Sequence, residues 1–432
     1  MNLSGWGRYP RVNARVFDLH SVERCRAIIR DTPTVLARGM GRSYGDSSLG
    51  PSVISTLKRN CLLAFDAQTG LVTCESGVTL AELIDAFLYR GWFLPVTPGT
   101  KFVTVGGAIA SDVHGKNHHE HGCFSEFVES FEIILATGEI RLCSKTHNAA
   151  LFHATCGGMG LTGIVLQATI QLRRVPSAHI EETTFRAANL DEVLALLKQH
   201  RTATYAVAWI DCLAKGDAMG RSLLTLGEHA PDGGLVLPQK RSHTMPFELP
   251  RWVLNRHSIA LFNQFYFNRS GHSPLRRRID LDTFFYPLDA MLHWNRMYGS
   301  RGLLQYQCVL PEQNARDSLH ELLATITQSG LGSCLAVLKW LGPCNKNLLS
   351  FPLEGVTLAL DFRHEPSVFS LLDRLDAMVV AAGGRVYLTK DARMSVNTFR
   401  SGYPRWSEFR AFREANGLLA KFSSLQAVRL QM

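Results

Sequence analysis

The spacing of apolar and polar positions marks out strands and helices from the start of the chain. Apolar or β-branched runs bounded by turn residues predict strands at 34–37, 70–75, 131–136 and 163–173. Between them the period lengthens to that of a helix at 21–30 and again at 79–90. The second helix is the better delimited, with Thr79 as N-cap, Glu82 three residues on and Gly91 as its stop. Beyond Pro176 a second set begins, with helices at 190–200 and Glu312–Ser329 and strands at 205–211, 304–310, 335–341 and 355–362. From about 228 to 278 no period is visible. Basic and bulky apolar residues mix there with Gly and Pro, including Trp252, Phe262, Phe265, Tyr266, Phe267 and the run Arg276-Arg277-Arg278. An irregular stretch of that length predicts a lid, a binding loop or a mobile segment.

Composition narrows the class. The chain has 432 residues, 46% hydrophobic and 19% charged, enough for two or three packed domains and unlike a disordered chain. No apolar run approaches the roughly 18 residues of a membrane span, and the N-terminus has no continuous apolar leader. We therefore expect a cytoplasmic protein, at most peripheral to a membrane. The net charge of +9 suits an anionic partner and equally suits plain solubilising surface charge. Ten cysteines stand singly, without a Cys-x-x-Cys pair, and are expected to be buried thiols rather than zinc ligands or a redox dithiol. No nucleic-acid-binding motif is present, so no nucleic-acid partner is expected.

Glycine is uneven: 19 of the 35 fall in residues 1–176, where backbone is then expected to approach a bound group closely. After the first strand comes Ala37-Arg38-Gly39-Met40-Gly41-Arg42-Ser43-Tyr44-Gly45-Asp46-Ser47. It is no dinucleotide fingerprint, because Tyr44 sits where the third glycine belongs and the following residues cannot open a helix. A glycine-rich loop without a helix can still turn successive N–H groups toward phosphates. Further small-residue segments are Pro98-Gly99-Thr100, Thr104-Val105-Gly106-Gly107-Ala108-Ile109-Ala110-Ser111 and Cys156-Gly157-Gly158-Met159-Gly160-Leu161-Thr162-Gly163-Ile164. His114-Gly115-Lys116-Asn117-His118-His119-Glu120-His121 raises the question of a metal. Its histidines lack zinc-protease spacing, so no metal is expected, and His118, His119 and His121 are taken as surface or structural.

These segments resemble, in order, the FAD-binding oxidases of the vanillyl-alcohol-oxidase (PCMH) type, and among them the sugar oxidases that act on a polyprenyl-phosphoryl ribose. The likeness continues through Ala208-Trp209-Ile210-Asp211, Phe285-Tyr286-Pro287-Leu288-Asp289, Leu304-Gln305-Tyr306-Gln307, Leu338-Lys339-Trp340-Leu341-Gly342-Pro343 and Tyr387-Leu388-Thr389-Lys390-Asp391-Ala392-Arg393, covering nearly the whole chain. The resemblance implies an α+β fold: a two-subdomain FAD-binding domain (1–176), a substrate domain with an antiparallel sheet flanked by helices (177–384) and a C-terminal return to the FAD domain (385–432). It implies non-covalent FAD, held by residues 37–47 and by Gly99, Thr104, Val105, Gly106, Gly107, Ser111, Asp112, Val113, His114, Ile164 and Tyr387.

It further implies Lys390 as the catalytic lysine with Tyr44 beside it, since a lysine against a flavin and apolar walls holds its proton weakly. Lys116, Trp209, Tyr286, Gln305, Gln307, Lys339, Thr357 and Ala359 would line the substrate pocket. Ala359 stands where relatives often carry a cysteine struck by nitro-aromatic inhibitors, and Thr357 where they carry asparagine. The implied reaction oxidises the 2′-hydroxyl of a polyprenyl-phosphoryl-β-D-ribose to the 2′-keto sugar. An NAD(P)H-dependent reductase would then complete epimerisation to the arabinose donor of cell-envelope glycans. The alternative substrate is a soluble alditol or aldonolactone. The basic, apolar stretch 228–278 would meet a membrane surface, with Lys240-Arg241 and Arg276–Arg278 near anionic headgroups.

Overall fold

The computed structural model describes residues 1–238, 243–250, 252–271 and 274–432. Lys240 and Arg241 lie outside the described residues. Three larger sheets organise the chain. Arg15–Asp18, Ser52–Ser55 and Leu36–Arg38 form a parallel sheet with Ser52–Ser55 in the middle. An antiparallel sheet follows, in the order Ile140–Cys143, Val128–Ile134, Ile164–Gln171, Leu71–Glu75 and Leu62–Asp66. The helix Leu80–Phe87 has its full capping box: Thr79 Oγ1 accepts from Glu82 N at 3.2 Å, and Glu82 Oε2 accepts from Thr79 N at 2.7 Å. Gly91, at φ 82°, ends the short 3₁₀ turn that follows.

The third sheet is antiparallel throughout and runs Leu275–Asp280, His179–Ala187, Ser222–His229, Tyr205–Ile210, Ala336–Leu341, Gly355–Arg363, Leu303–Pro311 and Arg385–Val386. Its two-residue period sorts side chains by face. Leu304, Tyr306, Cys308, Leu338, Leu358 and Leu360 enter a hydrophobic core shared with the helices Glu312–Ser329 and Pro366–Ala381. Gln305, Gln307, Lys339, Ala359 and Asp361 point the other way, into a cavity. Residues after 385 tie into both halves. Val35 pairs with Phe422 and Leu49 O accepts from Leu425 N, while Phe399, Tyr403 and Phe409 belong to the second core.

The stretch 228–278 is more regular than its pattern implies. It holds the helix Arg256–Asn268, capped by Asn255 and Ser258, and the edge strand Leu275–Asp280. The helix escapes detection because its outer face is also apolar: Leu261 and Phe265 are 72% and 74% exposed, while Ile259 and Phe267 are buried. Without contrast between faces there is no period to see. Arg277 and Arg278 pair with Glu182 and Asp232. Among the cysteines, Cys61 and Cys344 are exposed rather than buried; Cys61 precedes the edge strand Leu62–Asp66. Among the described residues no helix is long and apolar enough to cross a membrane.

Candidate active site

A cavity of about 1090 Å³ lies between the glycine-rich loops and the polar face of the eight-stranded sheet. Its first wall is the loop after Leu36–Arg38. Arg38 shapes it from beneath, donating to Ser48 O at 3.0 Å and Ser4 O at 2.7 Å. Gly39 has no room for a side chain, since a Cβ would stand 2.2 Å from Thr104 Oγ1, and Gly41 turns the backbone at φ +62°. From Gly39 to Ser43 no backbone N–H finds a partner among the described residues. Five successive amides free of protein acceptors at the cavity wall suit an anionic ligand. The second wall is the helix Val105–Ser111, capped by Thr104, whose Oγ1 accepts from Gly107 N at 3.2 Å. Beside it Ser76 Oγ and His114 Nδ1 are buried and find no partner among the described residues. Unbonded loop amides, glycines that bring main chain to the cavity and orphaned polar atoms fit a diphosphate-bearing dinucleotide such as FAD.

At the sheet end the chemistry changes. Lys390 Nζ sits 4.2 Å from the centroid of the Tyr44 ring, and Tyr44 N donates to Thr389 O at 3.0 Å, locking the loop to this segment. Burial lowers the proton affinity of Lys390; Asp361 opposes that shift and Lys339 adds to it. Asp361 accepts a hydrogen bond from Gln305 Nε2, and burial raises its carboxyl above the ordinary range. Burial also lowers Lys339 to about 8, and it takes Lys116 to about 7 with help from Lys339. Lys116 Nζ donates to Phe284 O and lies 4.3 Å from that residue's ring centroid. His114 is held neutral by burial, with the charges of Lys339, His118 and Lys390 adding to the effect; its Nε2 accepts from Gln307 Nε2 at 3.2 Å. Phe351 and Tyr387 stack at 4.4 Å behind it, and Tyr387 donates to Ser111 O.

The cavity is lined by Ala37 to Tyr44, Ser47, Gly99, Thr104, Gly106, Gly107, Ser111, Val113, His114 and Tyr387 among the expected cofactor residues. Of the expected substrate residues, Lys116, Trp209, Gln305, Gln307, Lys339 and Ala359 line it, as does Lys390. The others stand behind the lining for identifiable reasons. Gly45 packs on the carbonyl of Asp391, and Asp46 is ion-paired with Arg429 at 2.7 Å. Val105 and Ile164 turn into the core. Asp112 accepts from Asn345, Asn347 and Ser350, pinning a neighbouring loop. The Tyr286 hydroxyl is bonded to Thr97 Oγ1 at 2.6 Å, and Thr357 Oγ1 donates to Cys308 O while accepting from Gln307. Sequence reasoning missed Asp361; two positions beyond Ala359 on the same strand, it had to share its face. It also missed Arg269, hidden in the aperiodic stretch; Arg277, expected near anionic headgroups, lines the cavity. Among the described residues no group of three His, Cys, Asp or Glu could hold a metal. The histidines after His114 bond elsewhere: His118 to Gly342 N, His119 to Ala203 O and His121 to Arg173.

Fold and cavity together define an FAD-binding oxidoreductase, and the FAD binding domain family matches residues 14–144. Decaprenylphosphoryl-beta-D-ribose oxidase of Mycolicibacterium smegmatis is 36% identical over 100% of this chain and 97% of that protein. L-gulonolactone oxidase of Bos taurus is 31% identical over 46% of each chain, and D-lactate dehydrogenase of Anaerostipes hadrus 31% identical over 39% of this chain and 37% of that protein. The chain belongs to the decaprenylphosphoryl-beta-D-ribose oxidase family.

Proposed function

We propose that the protein oxidises the 2′-hydroxyl of a polyprenyl-phosphoryl-β-D-ribose to the 2′-keto sugar. The observation that carries the reading is a buried, weakly basic lysine, Lys390, at the sheet end of a cavity whose opposite wall offers unbonded loop amides. Likeness along the full length to an oxidase of decaprenylphosphoryl ribose supports the substrate class. Bound FAD supplies an acceptor for the carbinol hydride. The neutral Lys390 amine takes the hydroxyl proton, and Asp361, through its charge, stabilises the ammonium that results. Tyr44 covers the lysine from one side, keeping water from it. Gln305 and Gln307 offer amides to the sugar hydroxyls, and the small Ala359 opposite Gln307 leaves room for the ring. FAD is held non-covalently, beside a neutral His114 that Gln307 orients.

The FAD-binding part comprises residues 1–176 with a return at 385–432, and residues 177–384 form the substrate part. Because a 2′-keto sugar must be reduced on its other face to become arabinose, the product passes to an NAD(P)H-dependent reductase. A polyprenyl substrate places the enzyme at the inner surface of the cytoplasmic membrane; the exposed Trp252, Leu261 and Phe265 support that contact. The likeness to L-gulonolactone oxidase over less than half the chain favours, as a rival, a soluble lactone or alditol. Comparing kcat/KM for farnesylphosphoryl-β-D-ribose, free alditols and aldonolactones separates the two. The lipid-linked sugar is expected to be preferred by orders of magnitude; preference for a free sugar overturns the reading.

A further inference from the structure

The outer end of the cavity has a chemistry that the redox step does not use. Arg269 and Arg277 both line it. Arg277 gives only its Nε, to Glu182 at 2.6 Å, and its two terminal nitrogens meet no partner among the described residues. Arg269 lies over the Tyr266 ring at 3.7 Å and gives one nitrogen to that residue's hydroxyl. Glu182, the carboxylate bonded to Arg277, lines the same opening, with the buried Lys116 deeper in it. Both arginines are exposed and also line the cavity, so the positive charge stands at its rim.

Apolar surface begins where these charges end. Phe262 and Tyr266, stacked at 5.7 Å, line the cavity from the helix Arg256–Asn268, and Phe262 is itself exposed. Its neighbours Leu261 and Phe265 continue the apolar face outward into solvent. A helix whose outer face is apolar has an unsatisfied hydrophobic surface, and here that face adjoins the charged opening through Phe262, which is both exposed and part of the lining.

We propose that this opening is a prenyl-phosphate subsite. Arg269 and Arg277 hold the phosphoryl oxygens of the substrate, and Phe262, with Leu261 and Phe265, carries the first isoprene units out of the cavity. The inference rests on the lipid-linked substrate reading and extends it from the sugar to the headgroup and tail. A phosphodiester needs two or more fixed donors with little competing negative charge, and a fork-shaped guanidinium with free terminal nitrogens is suited to it. Continuity of the charged and apolar surfaces selects a ligand that is itself a phosphate joined to a hydrocarbon.

The test uses the FAD-loaded full chain with three substrates: farnesylphosphoryl-β-D-ribose, β-D-ribose 1-phosphate and methyl β-D-ribofuranoside. For Arg277→Gln, and separately for Arg269→Gln, the ratio of KM for the farnesylphosphoryl sugar to KM for the methyl riboside is expected to rise about tenfold, the loss of one hydrogen bond to a charged group. Arg277→Lys should recover part of it. Leu261→Ser combined with Phe265→Ser should raise KM for the farnesylphosphoryl sugar relative to ribose 1-phosphate. A ratio that stays within about twofold in both arginine variants overturns the subsite. If the unmodified enzyme oxidises the free sugars but not the farnesylphosphoryl one, the substrate reading fails and takes the subsite with it. Oxidation of the farnesylphosphoryl sugar with unmoved ratios rejects the subsite alone.

Discussion

Lys390 can accept a proton only when neutral, and its surroundings decide the pH at which that holds. Burial weakens its hold on a proton, so the acid limb of kcat/KM is expected well below the ordinary lysine value of 10.5. The sign is fixed: activity is present above the lowered value and is lost as pH falls through it. Asp361→Asn removes the charge that opposes the shift and should move the limb to lower pH, as a pH–rate profile will show. Lys390→Ala should abolish turnover, by about 10² or more, while FAD stays bound; near-normal activity in that variant contradicts the role. With FAD held non-covalently, as proposed, acid precipitation should release all of the flavin to the supernatant. At this scale the sequence was legible where a residue belonged to a quoted motif, as Lys390, Tyr44 and His114 did. Asp361 lies in no quoted motif, and its face follows only from Ala359 two positions before it on the same strand. Asp112 and Tyr286 show the reverse: both fall in motifs, and both spend their polar atoms on neighbouring protein groups.

Elements were read best where their two faces differ or their ends are capped. The helix beginning at Leu80 is announced by Thr79 and Glu82, and the strands of the large sheet alternate cleanly between core and cavity. The helix Arg256–Asn268 was invisible because apolar residues occupy both its sides. On the proposed reading that face meets hydrocarbon, and such a surface cannot also advertise itself by polar contrast. The glycine loop gives a test at this level. In Gly39→Ala the new methyl would collide with Thr104 Oγ1, the N-cap of Val105–Ser111, so loop and helix must separate. Flavin content per chain is expected to fall sharply while the far-ultraviolet circular dichroism stays native. Full FAD occupancy in this variant would show that the cofactor does not need the close approach.

For the whole molecule, two cores and the C-terminal segment converge on one cavity, with the redox chemistry at the sheet end and an apolar, basic opening outside. Those features would let the enzyme draw its substrate from a bilayer. Co-sedimentation with anionic vesicles is expected to weaken when Trp252 and Phe265 become serine and Arg276 becomes glutamate; unchanged binding rules out this surface. That the chain oxidises a lipid-linked ribose is tested most directly by anaerobic titration of the holoprotein with farnesylphosphoryl-β-D-ribose, followed by the absorbance of the oxidised flavin. The account predicts stoichiometric bleaching with the 2′-keto sugar as product, and none in Lys390→Ala. A flavin that stays oxidised with this substrate, yet bleaches with a free alditol or aldonolactone, would contradict it.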